Sequence, residues 1–288
     1  MSTTPPPAEL RTHDGLALRL RHWPTADARG TVLVVHGLGE HIGRYAHVAA
    51  HLNAQGWSVL GYDQRGHGRS EGPRGRLAAG DDLLRDLALL VDAGRAAQRG
   101  PLVLLGHSMG GLVAARFAAG GIGAAEPWFR PIDALVLSSP ALDPGMNAGQ
   151  KLLLALLGRL APGLGVNNGL KPGWISRDPQ VVRQYMADPL VHDRIAPRLA
   201  RFIVDGGRVV RERAASWNLP TLLLYAGSDR CVTPAGSAGF AAAAPQSLVA
   251  VHEFRALYHE IFNEPEREQV LTVLGEWLAP HLAPAQVD

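Results

Sequence analysis

At 288 residues with a formal net charge of +2, the chain can form one large α/β domain, or one domain carrying a substantial insertion. Hydrophobic residues at 47% against 19% charged make a globular composition, which excludes extended disorder outside the ends. The basic residues are scattered and, Lys151 and Lys171 apart, all arginine, which excludes a nucleic-acid-binding strip; the single cysteine, Cys231, excludes an intramolecular disulfide and any multi-cysteine metal site.

In chain order, residues 1–8 read as a Pro-rich disordered tail. The opening "MSTTPPPAEL" has neither a basic n-region nor an apolar h-region, so no secretory signal is expected. The alternation in "GLALRLRHW" (15–23) predicts an antiparallel edge strand. The runs "TVLVVHG" (31–37), "WSVLGYD" (57–63), "PLVLLGHS" (101–108), "IDALVLSSP" (132–140), "PTLLLYAGSD" (220–229) and "SLVAVHEF" (247–254) lack alternation. They read as strands buried on both faces of a parallel sheet. Helical patterns lie between them: "RYAHVAAHLNAQG", "AAGDDLLRDLALLVDAGRAAQ", "MGGLVAARFAAG" and, with Pro265 in its first turn, "EPEREQVLTVLGEWLAPH". Strand alternating with helix predicts a mostly parallel, doubly wound α/β sheet.

One stretch breaks that rhythm. Residues 142–217 carry helical fragments cut by Pro144, Pro162, Pro172, Pro179, Pro189 and Pro197 and no strand signal, which predicts a helical cap inserted into a core of residues 9–141 and 218–288. Within it "GQKLLLALLGRLAPGLG" makes a Leu-rich helix that is either buried all round or exposes an apolar face. In the second case Leu153 and Leu156 would meet acyl chains, and the cap would touch a lipid surface transiently. Its longest lid-like apolar run, residues 152–158, is well short of the ~20 residues that span a bilayer, so the expectation is a soluble cytoplasmic protein, peripheral to a membrane at most.

The pattern G-x-S-x-G occurs twice, around Ser70 and around Ser108, so the pattern alone does not choose a nucleophile. Context does. Ser108 follows a buried strand and opens a small-residue helix, the strand-turn-helix of a nucleophile elbow; Ser70 lies several residues past its strand and is followed by "EGPRG", which makes it a loop residue. A serine hydroxyl needs a base, and the base needs an acid to fix its tautomer. Asp229 follows the strand "TLLLYAG" and His259 follows "SLVAVHEF", in the chain order such a fold uses.

The rivals are poorer. His252 is inside a strand, His281 is near the carboxyl end, and Asp205 is a weak alternative acid. His47 and His51 have metal-site spacing, but "HVAAH" lacks the glutamate of H-E-x-x-H. No metal or cofactor is expected. Two backbone N–H groups would bind an oxyanion, those of Met109 and of Leu38 in "HGLGEH", with His36 orienting that loop.

With these residues placed, the chain resembles the monoacylglycerol lipase and lysophospholipase-like branch (serine aminopeptidase S33 type) of the α/β-hydrolase family. The blocks "HGLGEHIGRY", "GYDQRGHGRSEG", "GHSMGG", "SSPAL", "GSDRCVTPAGS" and "YHEIFNEP" follow that branch in order. The resemblance implies an α/β-hydrolase fold and hydrolysis of small acyl esters of single-chain lipids through an acyl-enzyme on Ser108, with His259 as base and Asp229 behind it. It also implies that Glu40 and Arg44 lie on the alcohol side of the pocket, although a surface ion pair explains them equally well. Two departures stand out. Phe262 occupies the position of a second histidine common in the branch, and Cys231, two residues after Asp229, is expected near the site. A peptidase, an acyltransferase or a ligand-binding relative on the same scaffold are the alternatives.

Overall fold

The computed structural model describes residues 6–279. Residues 1–5 of the expected tail, and His281, lie outside them. The strands are β1 (Glu9–Arg11), β2 (Ala17–Trp23), β3 (Gly30–Val35), β4 (Trp57–Tyr62), β5 (Leu102–His107), β6 (Ala134–Ser138), β7 (Val166–Asn167), β8 (Arg194–Ile195), β9 (Thr221–Ala226) and β10 (Val249–Phe254). The helices are α1 (Ala46–Ala54), α2 (Asp82–Ala97), α3 (Met109–Ala119), α4 (Ala148–Leu160), α5 (Pro179–Ala187), α6 (Pro197–Glu212), α7 (Pro234–Ala243) and α8 (Arg267–Leu278).

Eight strands form one sheet in the order β1-β2-β4-β3-β5-β6-β9-β10, parallel from β4 to β10 and antiparallel at β1-β2 and β2-β4. Every residue of β3, β4, β5, β6 and β9 is buried. The period of two divides them between the faces: Leu33, Val35, Leu104, Leu135 and Leu223 point into a core closed by α2, α3 and α6, whereas Val32, Val34, Leu105, Val136 and Leu224 point into a second closed by α1 and α8. This is the α/β-hydrolase architecture.

Four local expectations are corrected. β2 is not an edge strand, because the short β1 pairs on its outer side. β10 is the edge instead, with only Val249 and Phe254 buried, because among the described residues nothing pairs beyond it. Pro265 precedes α8, whose N-cap is Glu266. Ala8, expected in the tail, accepts a backbone hydrogen bond from Leu20.

Between β6 and β9 the chain adds nothing to the main sheet. α4, α5 and α6 fall here, with the small β7-β8 pair. α6 sinks Leu199, Phe202, Ile203 and Val210 into the core. α4 is held differently. A reciprocal capping box joins Asn147 and Gln150, yet Leu152, Leu153, Leu156 and Leu160 stay between 51 and 83% exposed. Among the described residues no helix is long and apolar enough to cross a membrane.

Candidate active site

Ser108 sits where β5 ends and α3 begins, with φ 55° and ψ −121°, a backbone region that costs a non-glycine residue strain of order 1–3 kcal/mol. The turn is that sharp because α3 starts immediately under β3: a Cβ on Gly110 would lie 2.1 Å from the Val35 carbonyl oxygen, so only glycine fits two residues after the serine. Ser108 N–H donates to the Ser138 carbonyl at 2.9 Å, and its own carbonyl accepts from Leu112 and Ala141, both at 3.0 Å. The hydroxyl is left to project into a cavity of about 340 Å³.

Asp229 and His259 come from the loops after β9 and β10, at the same carboxyl ends of the sheet as Ser108. His259 Nε2 is 2.8 Å from Ser108 Oγ, and its Nδ1 is 2.7 Å from Asp229 Oδ2. The other Asp229 oxygen accepts from the N–H groups of Cys231 at 2.7 Å and Val232 at 3.0 Å. The three residues thus form one hydrogen-bonded line. Burial works against charge on His259, but the Asp229 carboxylate, helped by Glu260 and Glu40, outweighs it and holds the imidazole pKa above its ordinary value. Burial likewise pushes Asp229 up, and the His259 charge with the hydrogen bonds it accepts brings its pKa below the ordinary value.

The segment Gly37–Glu40 forms the facing wall. Gly37 is close enough that a Cβ on it would lie 3.2 Å from Ser108 Cβ. Among the described residues no acceptor takes the N–H of Leu38 or of Met109. Glu40 Oε1 accepts from Gly37 N–H at 2.6 Å and from the Tyr45 hydroxyl at 2.7 Å. Its other oxygen accepts from Arg44 at 2.7 Å. Burial raises the Glu40 pKa, yet Arg44 and its other partners bring it down to about 2. Arg44 is then clamped by Glu260 through two bonds, at 2.6 and 2.7 Å, and lies behind the cavity wall rather than on it.

His36 is buried, donates from Nδ1 to the Gly37 carbonyl at 2.8 Å, and accepts at Nε2 from Gln64 N–H at 2.9 Å, so it braces the loop with both ring nitrogens occupied. Cys231 lines the cavity, and burial together with the Asp229 charge pushes its thiol pKa well up.

The remaining candidates lie elsewhere. Ser70 is a buried clamp: its hydroxyl donates to the Asp63 carbonyl at 2.5 Å and accepts from Arg19 N–H at 2.8 Å. His252 is exposed on β10 against Phe254, and Asp205 is a half-buried partner of Arg201. His47 donates to the Phe262 carbonyl at 2.9 Å, while His51 meets Gln55. Leu153 and Leu156 are exposed and outside the cavity lining; Leu170, Ile175, Tyr185, Met186 and Val191 line it instead.

Sequence reasoning missed Glu260, the partner of Arg44. Its position beside His259 was the available signal. It also missed His107, whose ring centroid is 4.8 Å from that of His259 and whose pKa burial and the neighbouring His259 charge lower to about 4. Nothing in its pattern marks it.

Residues 26–266 match the family model for the serine aminopeptidase, S33, group. The chain is 39% identical over 265 residues to a monoacylglycerol lipase of Mycolicibacterium smegmatis, covering 90% of this chain and 91% of that protein. It is 30% identical over 254 residues to the phospholipase YtpA of Bacillus subtilis, 86% of this chain and 94% of that protein. The crystal structure of a Paleococcus ferrophilus monoacylglycerol lipase superposes with a TM-score of 0.81 at 35% identity, over 92% of this chain and 99% of that one. A strained serine joined through histidine to aspartate at the carboxyl ends of a mostly parallel sheet accords with these matches, and the chain belongs to the serine aminopeptidase S33 family of α/β-hydrolases.

Proposed function

We propose that the protein is a carboxylic ester hydrolase that cleaves single-chain lipid esters, monoacylglycerols foremost, through an acyl-enzyme on Ser108. The observation that carries this reading is the Asp229–His259–Ser108 line, with bonds of 2.7 and 2.8 Å, opening into the cavity. The relatives named lipase and phospholipase support the substrate class.

Ser108 Oγ attacks the ester carbonyl carbon while His259 Nε2 takes its proton. Asp229 holds the imidazole in the tautomer with Nδ1 protonated and stabilises the cation that forms. The carbonyl oxygen becomes an oxyanion bound by the free N–H groups of Leu38 and Met109, each donor worth roughly 10²- to 10³-fold in rate. His259 returns its proton to the leaving alcohol, leaving the acyl group on Ser108. Water then enters and gives its proton to His259; collapse of the second tetrahedral intermediate frees the fatty acid and restores Ser108.

Residues 142–217 act as a cap on a core of 9–141 and 218–288: Leu170, Ile175, Tyr185, Met186 and Val191 give the acyl side its apolar wall. The exposed leucines of α4 suit a lipid surface, where they would bury apolar area that water now covers. Glu40 and Arg44 support the alcohol side indirectly, since the Arg44 donors are taken by Glu40 and Glu260.

A p-nitrophenyl ester chain-length series, a 1-monoacylglycerol and an aminoacyl amide, assayed on the wild type and on Ser108→Ala, test the reading. Ester turnover in the wild type and none in the variant is expected. Turnover surviving in Ser108→Ala would sink the mechanism, and cleavage of the amide alone would make the protein a peptidase.

A further inference from the structure

The loop that carries Leu38 is tied in two directions. Toward the core, Gly37 N–H is held by Glu40, the Gly37 carbonyl by His36, and Ile42 N–H by Asp63 Oδ1 at 2.8 Å. The Gly39 carbonyl and the His41 side chain reach the other way, to the segment that follows α5. His192 N–H donates to the Gly39 carbonyl at 2.9 Å, and His41 Nε2 donates to Asp188 Oδ2 at 2.8 Å. The tautomer of His41 follows from its surroundings, because Gly43 N–H donates to Nδ1 at 3.1 Å and the proton must therefore sit on Nε2. Gly39 has φ +78°, and a Cβ there would lie 2.3 Å from the His192 carbonyl oxygen, so the two backbones run closer than any side chain allows. The His192 ring also stacks on His67 at 4.7 Å, which in turn meets His36 at 5.3 Å.

We infer that Asp188 and His41, with the His192 peptide, are positioning groups for acyl transfer: the segment 188–192 sets the Leu38 N–H as an oxyanion donor, besides walling the cavity. The inference rests on the proposed role of that N–H. An oxyanion donor is effective only within about 2.7–3.1 Å of where the charge develops, and a displacement of about 1 Å costs roughly 10²-fold. The Leu38 N–H belongs to the Gly37–Leu38 peptide, whose carbonyl has one hold among the described residues, the His36 ring, and the chain then runs through Leu38 to the Gly39 carbonyl two peptides on. Releasing the Gly39 carbonyl and the His41 side chain leaves the Gly37–Leu38 peptide free to tilt about that single hold. Such a tilt weakens the hold on the tetrahedral oxyanion more than on the ground-state ester, so it lowers kcat and spares KM.

The test uses the full chain and p-nitrophenyl butyrate, a soluble ester that removes any lipid surface from the measurement. Asp188→Ala and His41→Ala should each lower kcat about 10- to 100-fold with KM within about threefold. Affinity for a trifluoromethyl ketone, which becomes a tetrahedral oxyanion on the serine, should fall in parallel, while affinity for an unreactive ether of the same length stays unchanged. Gly39→Ala, which pushes the His192 peptide away, should show the same split. Asp188→Asn keeps one acceptor for two donors, His41 Nε2–H and Leu190 N–H, so its kcat should lie between wild type and Asp188→Ala; this milder variant keeps the test open if the alanine forms fold poorly.

A raised KM and weakened ether binding at unchanged kcat would reduce the segment to a substrate wall and overturn the inference. Unchanged kcat in Asp188→Ala and His41→Ala, with Ser108→Ala inactive, overturns the inference alone. Turnover surviving in Ser108→Ala overturns the proposed mechanism and the inference together.

Discussion

The five-residue pattern G-x-S-x-G folds here in two opposite ways. Around Ser108 the backbone is strained, the hydroxyl faces a cavity, and its side-chain partner is a histidine that can take its proton. Around Ser70 the hydroxyl is buried and spent on backbone: it clamps Asp63 and Arg19, beside an Arg65 guanidinium that grips Asp86 at 2.6 and 2.7 Å. One turn keeps its polar group available and the other uses its polar groups to hold loops together. The same local pattern therefore leaves a hydroxyl available for chemistry in one place and spends it on loop structure in the other.

The largest way to break that contrast is Ser108→Ala, expected to lower kcat on the order of 10⁴- to 10⁶-fold with the thermal midpoint little changed, since the partner it unpairs, His259 Nε2, faces the cavity. A thermal melt beside the ester assay reads both halves.

Asp229→Asn sharpens the same side through the base: about 10⁴-fold is expected from the wrong imidazole tautomer. The pH profile adds a sign. His259 must be neutral to accept the serine proton, so kcat/KM rises as pH climbs through its pKa. Burial alone would lower that pKa, but Asp229 holds it above the ordinary 6.5, which places the limb of the wild-type profile above that value. The limb should move to lower pH in Asp229→Asn, where burial acts unopposed by that charge. A limb that stays put would show that Asp229 does not set the base.

On the structural side Asp86→Ala takes the partner from Arg65 Nε and Nη2 while Asp14 and Asp82 still balance its charge, and should cost about 1–3 kcal/mol, read by urea unfolding, while the folded fraction keeps its kcat. Ser70→Ala should cost about 1–3 kcal/mol for the Arg19 N–H it strands, with kcat again intact. Loss of kcat in folded Ser70→Ala would erase the contrast. The smallest effect is at Cys231: complete alkylation should slow ester turnover because the thiol lines the cavity, and the reaction should be sluggish because its raised pKa leaves little thiolate. Full activity after complete alkylation would remove Cys231 from the site.

Much of the fold was legible because burial on both faces leaves a plain mark. β3, β5, β6 and β9 are runs of valine and leucine with no alternation, and each emerged as an inner strand. "SLVAVHEF" has a similar composition but became an exposed edge, because a run of apolar residues does not say whether another strand will pair beyond it. α7, with its sequence PAGSAGFAAA, has too few large apolar side chains for a helical period to be read. Ser108, Asp229 and His259 were readable since each lies in the turn or loop that follows a strand, whereas Asp188 and His41 are 147 positions apart and carry no shared motif.

The amino-acid order by itself determined which residues stand at the carboxyl ends of the strands, because strand periodicity and turn glycines are local properties. It also confined the helical insertion to the stretch between the "IDALVLSSP" and "PTLLLYAGSD" strands. Only the tertiary structure decided what those residues meet. It set Arg44 between Glu40 and Glu260, turned the α4 leucines outward, and brought Asp188 against the loop of Leu38. Hydrogen bonds and ion pairs act over about 3 Å in space regardless of separation along the chain, so their partners are chosen by packing.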